Sequence, residues 1–470
     1  MTHEPEQPVA PAAEAPPARP LPPWFDDAKL GIFIHWTAAA IPAFAPVHLV
    51  QGLQDRGPNV PRWQQRQFWR TLPYAETYQN TMAVPGSETS RYHAEHYGDL
   101  PYSAFVEQFR DQTLPAWEPE SWARLFARAG ARYVVLTTKT EDGFLLWPSD
   151  HPNPHQEGWQ AGRDVVGELA DAVRCHGLRF GAYYAEGLDW TFGGLPVTDD
   201  ESFVRAMPTS DAYHAYTDAH WRELITRYQP SVLWNDYCLL PNLDAEALFR
   251  TYYQQVPDGV VNDRFDIPRQ HDGQLHADFD TREYSNDTKP AARKWEACRG
   301  IGTSFGYNQL ETEDSYLSST QLIHLLIDTV AGGGNLLLNV GPTGSGDIPP
   351  EQAQRLVDLG DWLATHGDAI YGTRPWHRAK GITTEGLPVR YTASREVLHA
   401  LVLGTPRGTT IDLDVRLQPG ATVQLGACPH PLPWQSSPHG TRVQLPAPPA
   451  PEAALSLHIS PREAVTDPVD

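Results

Sequence analysis

Cysteine is scarce in this chain: four residues among 470, Cys175, Cys238, Cys298 and Cys428. None stands in a Cys-x-x-Cys pair or at metal-ligand spacing, which excludes a disulfide framework and a zinc site. Basic charge is short as well. There are 36 Lys and Arg against 58 Asp and Glu, for a formal net charge of −22. Neutralising phosphate takes clustered Lys and Arg, so this balance argues against nucleic acid and against a membrane surface as partners. A soluble, self-repelling surface accounts for it. No apolar run approaches the length that crosses a bilayer. The opening stretch, 1–22, is rich in Pro, Ala and Glu, and has neither a basic segment nor an apolar one. It is read as a disordered leader rather than a secretory signal, and the expected location is cytoplasmic. No internal repeat is present.

What the chain does have is a series of short apolar runs that end in polar or aromatic residues. Ser231–Asp236 is one, bounded by the turn at Pro230. Similar runs at Leu30–Trp36, Tyr133–Lys139, Arg179–Tyr184, Gly259–Asp263, His276–Glu283, Thr303–Tyr307 and Asn335–Val340 predict further strands. Periodicity predicts helices over Pro119–Ala129, Asp164–His176, Ser210–Tyr228, Ser318–Ala331 and Pro350–His366. Strands alternating with helices in this way predict a (β/α)8 barrel over residues 23–375. A long insertion, 43–102, rich in Trp, Gln and Tyr, falls where barrels carry ligand-binding loops. Over 376–462 the pattern changes to short alternating strands broken by Pro and Gly, which predicts an antiparallel β-sandwich; 463–470 is read as a tail.

In a parallel barrel the C-terminal ends of the strands hold the chemistry. Here they carry His35-Trp36, Lys139–Asp142, Tyr183-Tyr184, Trp234–Asp236, Asn262–Arg264 and Glu283. Taken singly, Asp236 fits a helix-capping aspartate just as well. Repeated from strand to strand, such ends describe an active-site rim. Aromatic rings, carboxyls and an arginine suit a neutral, hydroxyl-rich ligand such as a sugar. Glycoside hydrolysis needs two carboxyls flanking the scissile bond, and the rim supplies several. His35 alone does not make the several-histidine site of a metal-dependent hydrolase.

The ends belong to longer motifs: W-F-D-D-A-K-L-G-I-F-I-H-W (24–36), P-Y-A-E-T-Y-Q-N (73–80), V-L-W-N-D (232–236), V-N-D-R (261–264), T-R-E-Y (281–284), K-W-E-A-C-R-G-I-G-T-S-F-G-Y-N (294–308) and G-G-N-L-L-L-N-V-G-P (333–342). In this order they resemble the retaining α-L-fucosidases of glycoside hydrolase family 29. The resemblance implies a retaining exo-glycosidase with a fucosylated glycoside as substrate and no cofactor, since acid, nucleophile and water complete the chemistry. It implies Asp236 as nucleophile and Glu283 as acid/base, with Glu296 the rival for the second role. Trp234 and Arg264 resemble the floor of the sugar pocket, with Tyr184, Phe305 and His35 around them. Glu76 matches a position that reaches into the pocket, a loop salt bridge being its plainer role. No oligomeric state follows.

The departures concern the sugar-reading shell. Most relatives read Lys-His-His-Asp-Gly-Phe where this chain has Lys139-Thr140-Glu141-Asp142-Gly143-Phe144. Thr77 stands where close relatives have Trp, and Thr37 replaces the usual Gly. Glu141, taken as ionised, is expected to accept a hydrogen bond from a sugar hydroxyl and to shift specificity, unless His93 or His96 of the insertion restores the lost contacts. Two alternatives stay open: the same chemistry on another fucose-like sugar, and a catalytically silent carbohydrate-binding protein.

Overall fold

Strands that are apolar on both faces belong at the centre of a fold, paired in parallel under a layer of helices. The computed structural model describes residues 19–47, 72–237, 244–265, 275–284, 293–426, 428, 430–437 and 439–467. Its central sheet has eight parallel strands: β1 Leu30–Ile34, β2 Tyr133–Lys139, β3 Arg179–Ala185, β4 Val232–Asp236, β5 Val260–Val261, β6 Asp280–Glu283, β7 Trp295–Gly300 and β8 Gly334–Val340. Their order is β5-β4-β3-β2-β1-β8-β7-β6. A parallel bridge between Asn262 and Phe279 brings the two edges together. The fold is a (β/α)8 barrel.

Alternation along each strand decides what faces inward. Phe33, Tyr133, Tyr183, Trp234, Cys298 and Leu337 fill the barrel interior. Their neighbours Ile34, Val134, Tyr184, Leu233 and Leu336 pack outward against the helices. A short helix, Pro23–Ala28, plugs the N-terminal end, where buried Phe25 meets Tyr133 and Phe279. The outer helices Pro119–Arg128, Val165–Cys175, Asp211–Tyr228, Ser319–Ala331 and Pro350–His366 begin and end within one residue of expectation. Asp164, Ser210 and Ser318 cap three of them by accepting from backbone N–H groups of the first turn.

The seventh strand is not where the sequence placed it. It is Trp295–Gly300, and Thr303–Tyr307 is a loop. The true strand carries Glu296 and Arg299, so it lacks the apolar signature. Its inward carboxyl accepts from Tyr133 and Trp234, on β2 and β4. The insertion is more ordered than a loop: its described part holds a 3-10 turn, Ala75–Thr77, and helices Tyr78–Ala83 and Glu88–Tyr97. Residues 48–71 of it lie outside the described residues, as do 1–18 of the expected leader.

Beyond the barrel, a six-stranded antiparallel sheet (374–460) and a three-stranded one (410–444) enclose a separate apolar core that includes Tyr391, Leu457, Leu413 and Val443. This is the expected β-sandwich architecture. In the stretch read as a tail, Val465–Thr466 pairs with Arg416–Leu417. Trp362 and His366 of the last barrel helix bond Ala454 and Ser456 of the sandwich. No helix among the described residues is long and apolar enough to cross a membrane.

Candidate active site

A cavity of about 280 Å³ opens at the C-terminal ends of the barrel strands. Its floor is made by inward-facing residues, and β4 supplies two of them. Trp234 is stacked on Tyr183 at 5.4 Å, and its indole N–H donates to Glu296 at 3.0 Å. Asp236 ends the strand with three donors on its carboxyl group. Arg264 Nη1 reaches Oδ1 at 2.7 Å, the Tyr237 N–H reaches the same oxygen at 2.9 Å, and the Tyr183 hydroxyl reaches Oδ2 at 2.9 Å.

Arg264 holds two carboxyls at once. Its Nη2 donates to Glu283 Oε2 at 2.9 Å, and its Nε is fixed by Thr281 Oγ1 at 3.0 Å. The guanidinium lies 4.7 Å over the Trp234 ring. Burial opposes its charge, but Asp236 and Glu283 outweigh that and hold it well above the usual range. Glu283 comes from the end of β6 and sits nearer the mouth: its side chain is 35% exposed, that of Asp236 14%.

Around this pair stand side chains whose ionisation is set by burial. His35 follows β1, and its Nδ1 meets Asn339 Oδ1 at 2.7 Å. Burial pushes the imidazole down to about 4, so it is neutral at pH 7. With Nδ1–H donated to Asn339, Nε2 is left as an acceptor. Phe305 packs on this ring at 4.9 Å from the loop after β7. The same loop receives Glu76, whose Oε2 accepts from the Gly306 N–H at 2.7 Å and from Ser304 Oγ at 3.3 Å. Burial, with the charge of Glu283 adding, pushes Glu76 up to about 7.

Glu141 lines the cavity but is not the ionised acceptor expected. Burial pushes its carboxyl up to about 8, and the charges of Glu76, Asp142 and Asp236 add to the effect. At neutral pH it carries its proton and acts as a donor, as a neutral histidine would. Tyr237 supports it through a hydroxyl bond to Oε1 at 3.2 Å. Tyr237 adopts a left-handed backbone, φ 60°, and its carbonyl lies where a Cβ on Gly187 would go.

Three expected site residues stand elsewhere. Thr140 turns from the cavity and donates to Asp142 Oδ1 at 3.0 Å. Tyr184 points outward, its hydroxyl 2.9 Å from His220 Nδ1. Its neighbour Tyr183 takes the place at the cavity, because Tyr183 is the register partner of Trp234 and shares its face. Glu296 lies beneath the floor, bonded to Tyr133 and Trp234 and pushed up to about 7 by burial. His93 bonds Tyr78 and Leu100 while His96 bonds Tyr92, so neither fills the missing histidines' place. Tyr74, inside the motif at 73–80, and Tyr237, directly after V-L-W-N-D, also line the cavity wall; their places beside these motifs were the signal for them. No group of three His, Cys, Asp or Glu among the described residues has the arrangement of a metal site.

The wall is braced by a buried ion pair. Lys139 Nζ bonds the carbonyls of Ala185 (2.7 Å) and Leu188 (3.2 Å), and meets Asp189 Oδ2 at 3.2 Å, with both side chains fully buried. Lys139→Met strands the Asp189 charge, and a loss of about 3–5 kcal/mol in unfolding free energy is expected. Denaturant titration checks it; a loss under about 1 kcal/mol would show that the pair adds little.

Two carboxyls on one guanidinium, over an aromatic floor, are the equipment of a glycoside hydrolase. The comparisons narrow the class. The family model for alpha-L-fucosidase matches residues 1–368. An alpha-L-fucosidase of Dictyostelium discoideum is 35% identical over 372 residues, 76% of this chain and 73% of the relative. The tissue alpha-L-fucosidase of Bos taurus is 32% identical over 459 residues, 93% of this chain and 87% of the relative. The crystal structure of Thermotoga maritima alpha-fucosidase, in complex with a mechanism based inhibitor, superposes with a TM-score of 0.82 at 36% identity, covering 94% of this chain and 97% of that one. The chain belongs to the alpha-L-fucosidase family.

Proposed function

We propose that this protein hydrolyses terminal α-L-fucosides with retention, by double displacement at Asp236 and Glu283. The observation that carries the reading is the Arg264 bridge, with Asp236 at 2.7 Å and Glu283 at 2.9 Å from one guanidinium. The bridge ties both carboxyls to one point of the cavity, as a pair that acts on one bond must be; retention calls for a separation of about 5–5.5 Å. Asp236 attacks the anomeric carbon while Glu283 protonates the departing oxygen. Glu283 then takes a proton from water, which releases the sugar from Asp236. L-Fucose carries a methyl group where other hexoses carry a hydroxymethyl, and Phe33, Trp234 and Phe305 give the floor the apolar surface such a group prefers. A cavity of about 280 Å³ suits one sugar ring and thus exo-action. Trapping with a 2-deoxy-2-fluoro-α-L-fucosyl donor tests this: the added mass is expected on the peptide containing Asp236, and a label elsewhere rejects the assignment.

Glu141 gives the reading a pH signature. As a protonated donor to a sugar hydroxyl it supports binding below its pKa of about 8 and loses that role as pH rises through it. kcat/KM is therefore expected to fall above about pH 8, and Glu141→Gln, which keeps a donor at every pH, is expected to flatten that limb. The groups facing Glu141 are Glu76, Asp142, Asp236 and the Tyr237 hydroxyl. An unchanged alkaline limb in Glu141→Gln assigns the limb to another group.

A further inference from the structure

The peptide that joins Asp236 to Tyr237 is gripped by the residues that follow β3. Its carbonyl accepts two backbone N–H groups, that of Glu186 at 3.2 Å and that of Gly187 at 3.3 Å. A trans peptide is planar, with its C=O and N–H pointing in opposite directions. Holding the carbonyl therefore sets the direction of the Tyr237 N–H, which donates to Asp236 Oδ1 at 2.9 Å. The grip on the main chain reaches the carboxyl.

The gripping segment is itself anchored from behind. Lys139 Nζ bonds the carbonyls of Ala185 and Leu188, on either side of it. The Tyr213 hydroxyl donates to the Glu186 carbonyl at 2.8 Å, and the Trp221 indole N–H to Glu186 Oε2 at 3.1 Å. Lys139, Glu186, Tyr213 and Trp221 are all fully buried. Carbonyls held on one side leave the amides of 186 and 187 turned toward Asp236.

Glycine alone fits at 187. A Cβ there would fall on the Tyr237 carbonyl and within 2.9 Å of the Tyr237 Cβ. Tyr237 makes this close approach through its φ of 60°, a backbone that side-chain-bearing residues rarely adopt. Such a conformation persists where the surroundings over-determine it. With residues 185–188 anchored, a methyl group at 187 must displace Tyr237, and the Tyr237 N–H leaves Oδ1 with it. We infer that Gly187 is a positioning residue: its amide and its missing side chain hold the 236–237 peptide so that the Asp236 carboxylate stands aimed at the anomeric carbon. This rests on the fucosidase reading above, with Asp236 as nucleophile.

Gly187→Ala, assayed on 4-nitrophenyl α-L-fucoside, tests the role. kcat/KM, which includes the attack by Asp236, is expected to fall about 10²-fold, as a misplaced reacting group costs. The inhibition constant of L-fucose, which involves no attack, is expected to stay within about twofold. Azide supplies the comparison that structural damage would fail. In Asp236→Gly external azide is the nucleophile and needs no aim from the 236–237 peptide. Adding Gly187→Ala there is expected to change the azide-rescued rate by less than about twofold. An equal loss in both backgrounds, no loss in the wild-type background, or a parallel rise in the fucose constant overturns the positioning role. Should Gly187→Ala not fold, two variants across the contact decide. Both remove the tyrosine ring, but glycine takes φ 60° freely while β-branched valine is driven from it. Tyr237→Val is expected at least about tenfold below Tyr237→Gly in kcat/KM, and equal values overturn the inference. An inactive wild type, or an Asp236→Gly variant of near-normal rate, overturns the reading on which the role rests. An active wild type whose Asp236→Gly variant is rescued by azide leaves that reading standing, and the comparison then judges Gly187 alone.

Discussion

Asp236→Gly is expected to lose on the order of 10³-fold or more in kcat, because the proposed mechanism forms the glycosyl-enzyme bond at this carboxylate. The neighbours that bond its carboxyl, Arg264, Tyr183 and the backbone of residue 237, keep their own anchors in the variant. Arg264 remains tied to Glu283 and Thr281, and Tyr183 remains stacked on Trp234. The space left is small and lies beside a guanidinium, which suits an anion. External azide is therefore expected to restore part of the rate and to give a fucosyl azide of inverted configuration, identified by NMR. Near-normal kcat without azide would remove Asp236 from the nucleophile's role.

Glu283→Ala separates the two candidates for the acid. Its kcat/KM is expected to fall by about 10²–10⁴-fold on glycosides with poor leaving groups, and far less on activated aryl glycosides, which depart without protonation. Glu296→Ala is expected to behave otherwise. Its carboxyl is buried beneath Trp234, and its loss removes the acceptor of the Tyr133 O–H and of the Trp234 indole N–H, a cost of about 1–3 kcal/mol in stability. A plot of log(kcat/KM) against leaving-group pKa for both variants decides the matter. If the steep dependence appears in Glu296→Ala and not in Glu283→Ala, the assignments exchange.

Much of the scaffold was readable because its signals are local. A capped helix such as Ser319–Ala331 announces itself through the hydroxyl before it and the apolar stripe within it, and a strand such as Val232–Asp236 through a run buried on both faces. Short polar-bearing strands were harder. Trp295–Gly300 reads as charged until the partners of Glu296 are known, and those lie 163 and 62 positions away.

The alternation of strands and helices by itself determined the barrel, and the short alternating strands beyond 376 the sandwich. The barrel in turn determined the set of strand ends that meet at the cavity, because strand direction in a parallel barrel sends every C-terminal end to one face. It thereby brought Trp234, Asp236, Arg264 and Glu283 together. Only the tertiary structure chose between adjacent residues and between charge states. Tyr183 rather than Tyr184 reaches the cavity because register pairs it with Trp234, and a one-residue difference in a strand reverses the face. Glu141 carries a proton at neutral pH because burial and three neighbouring carboxyls, distant in sequence or adjacent to it, disfavour its anion. Strand pattern is a property of neighbours along the chain; the protonation of a buried acid belongs to the space that folding closes around it.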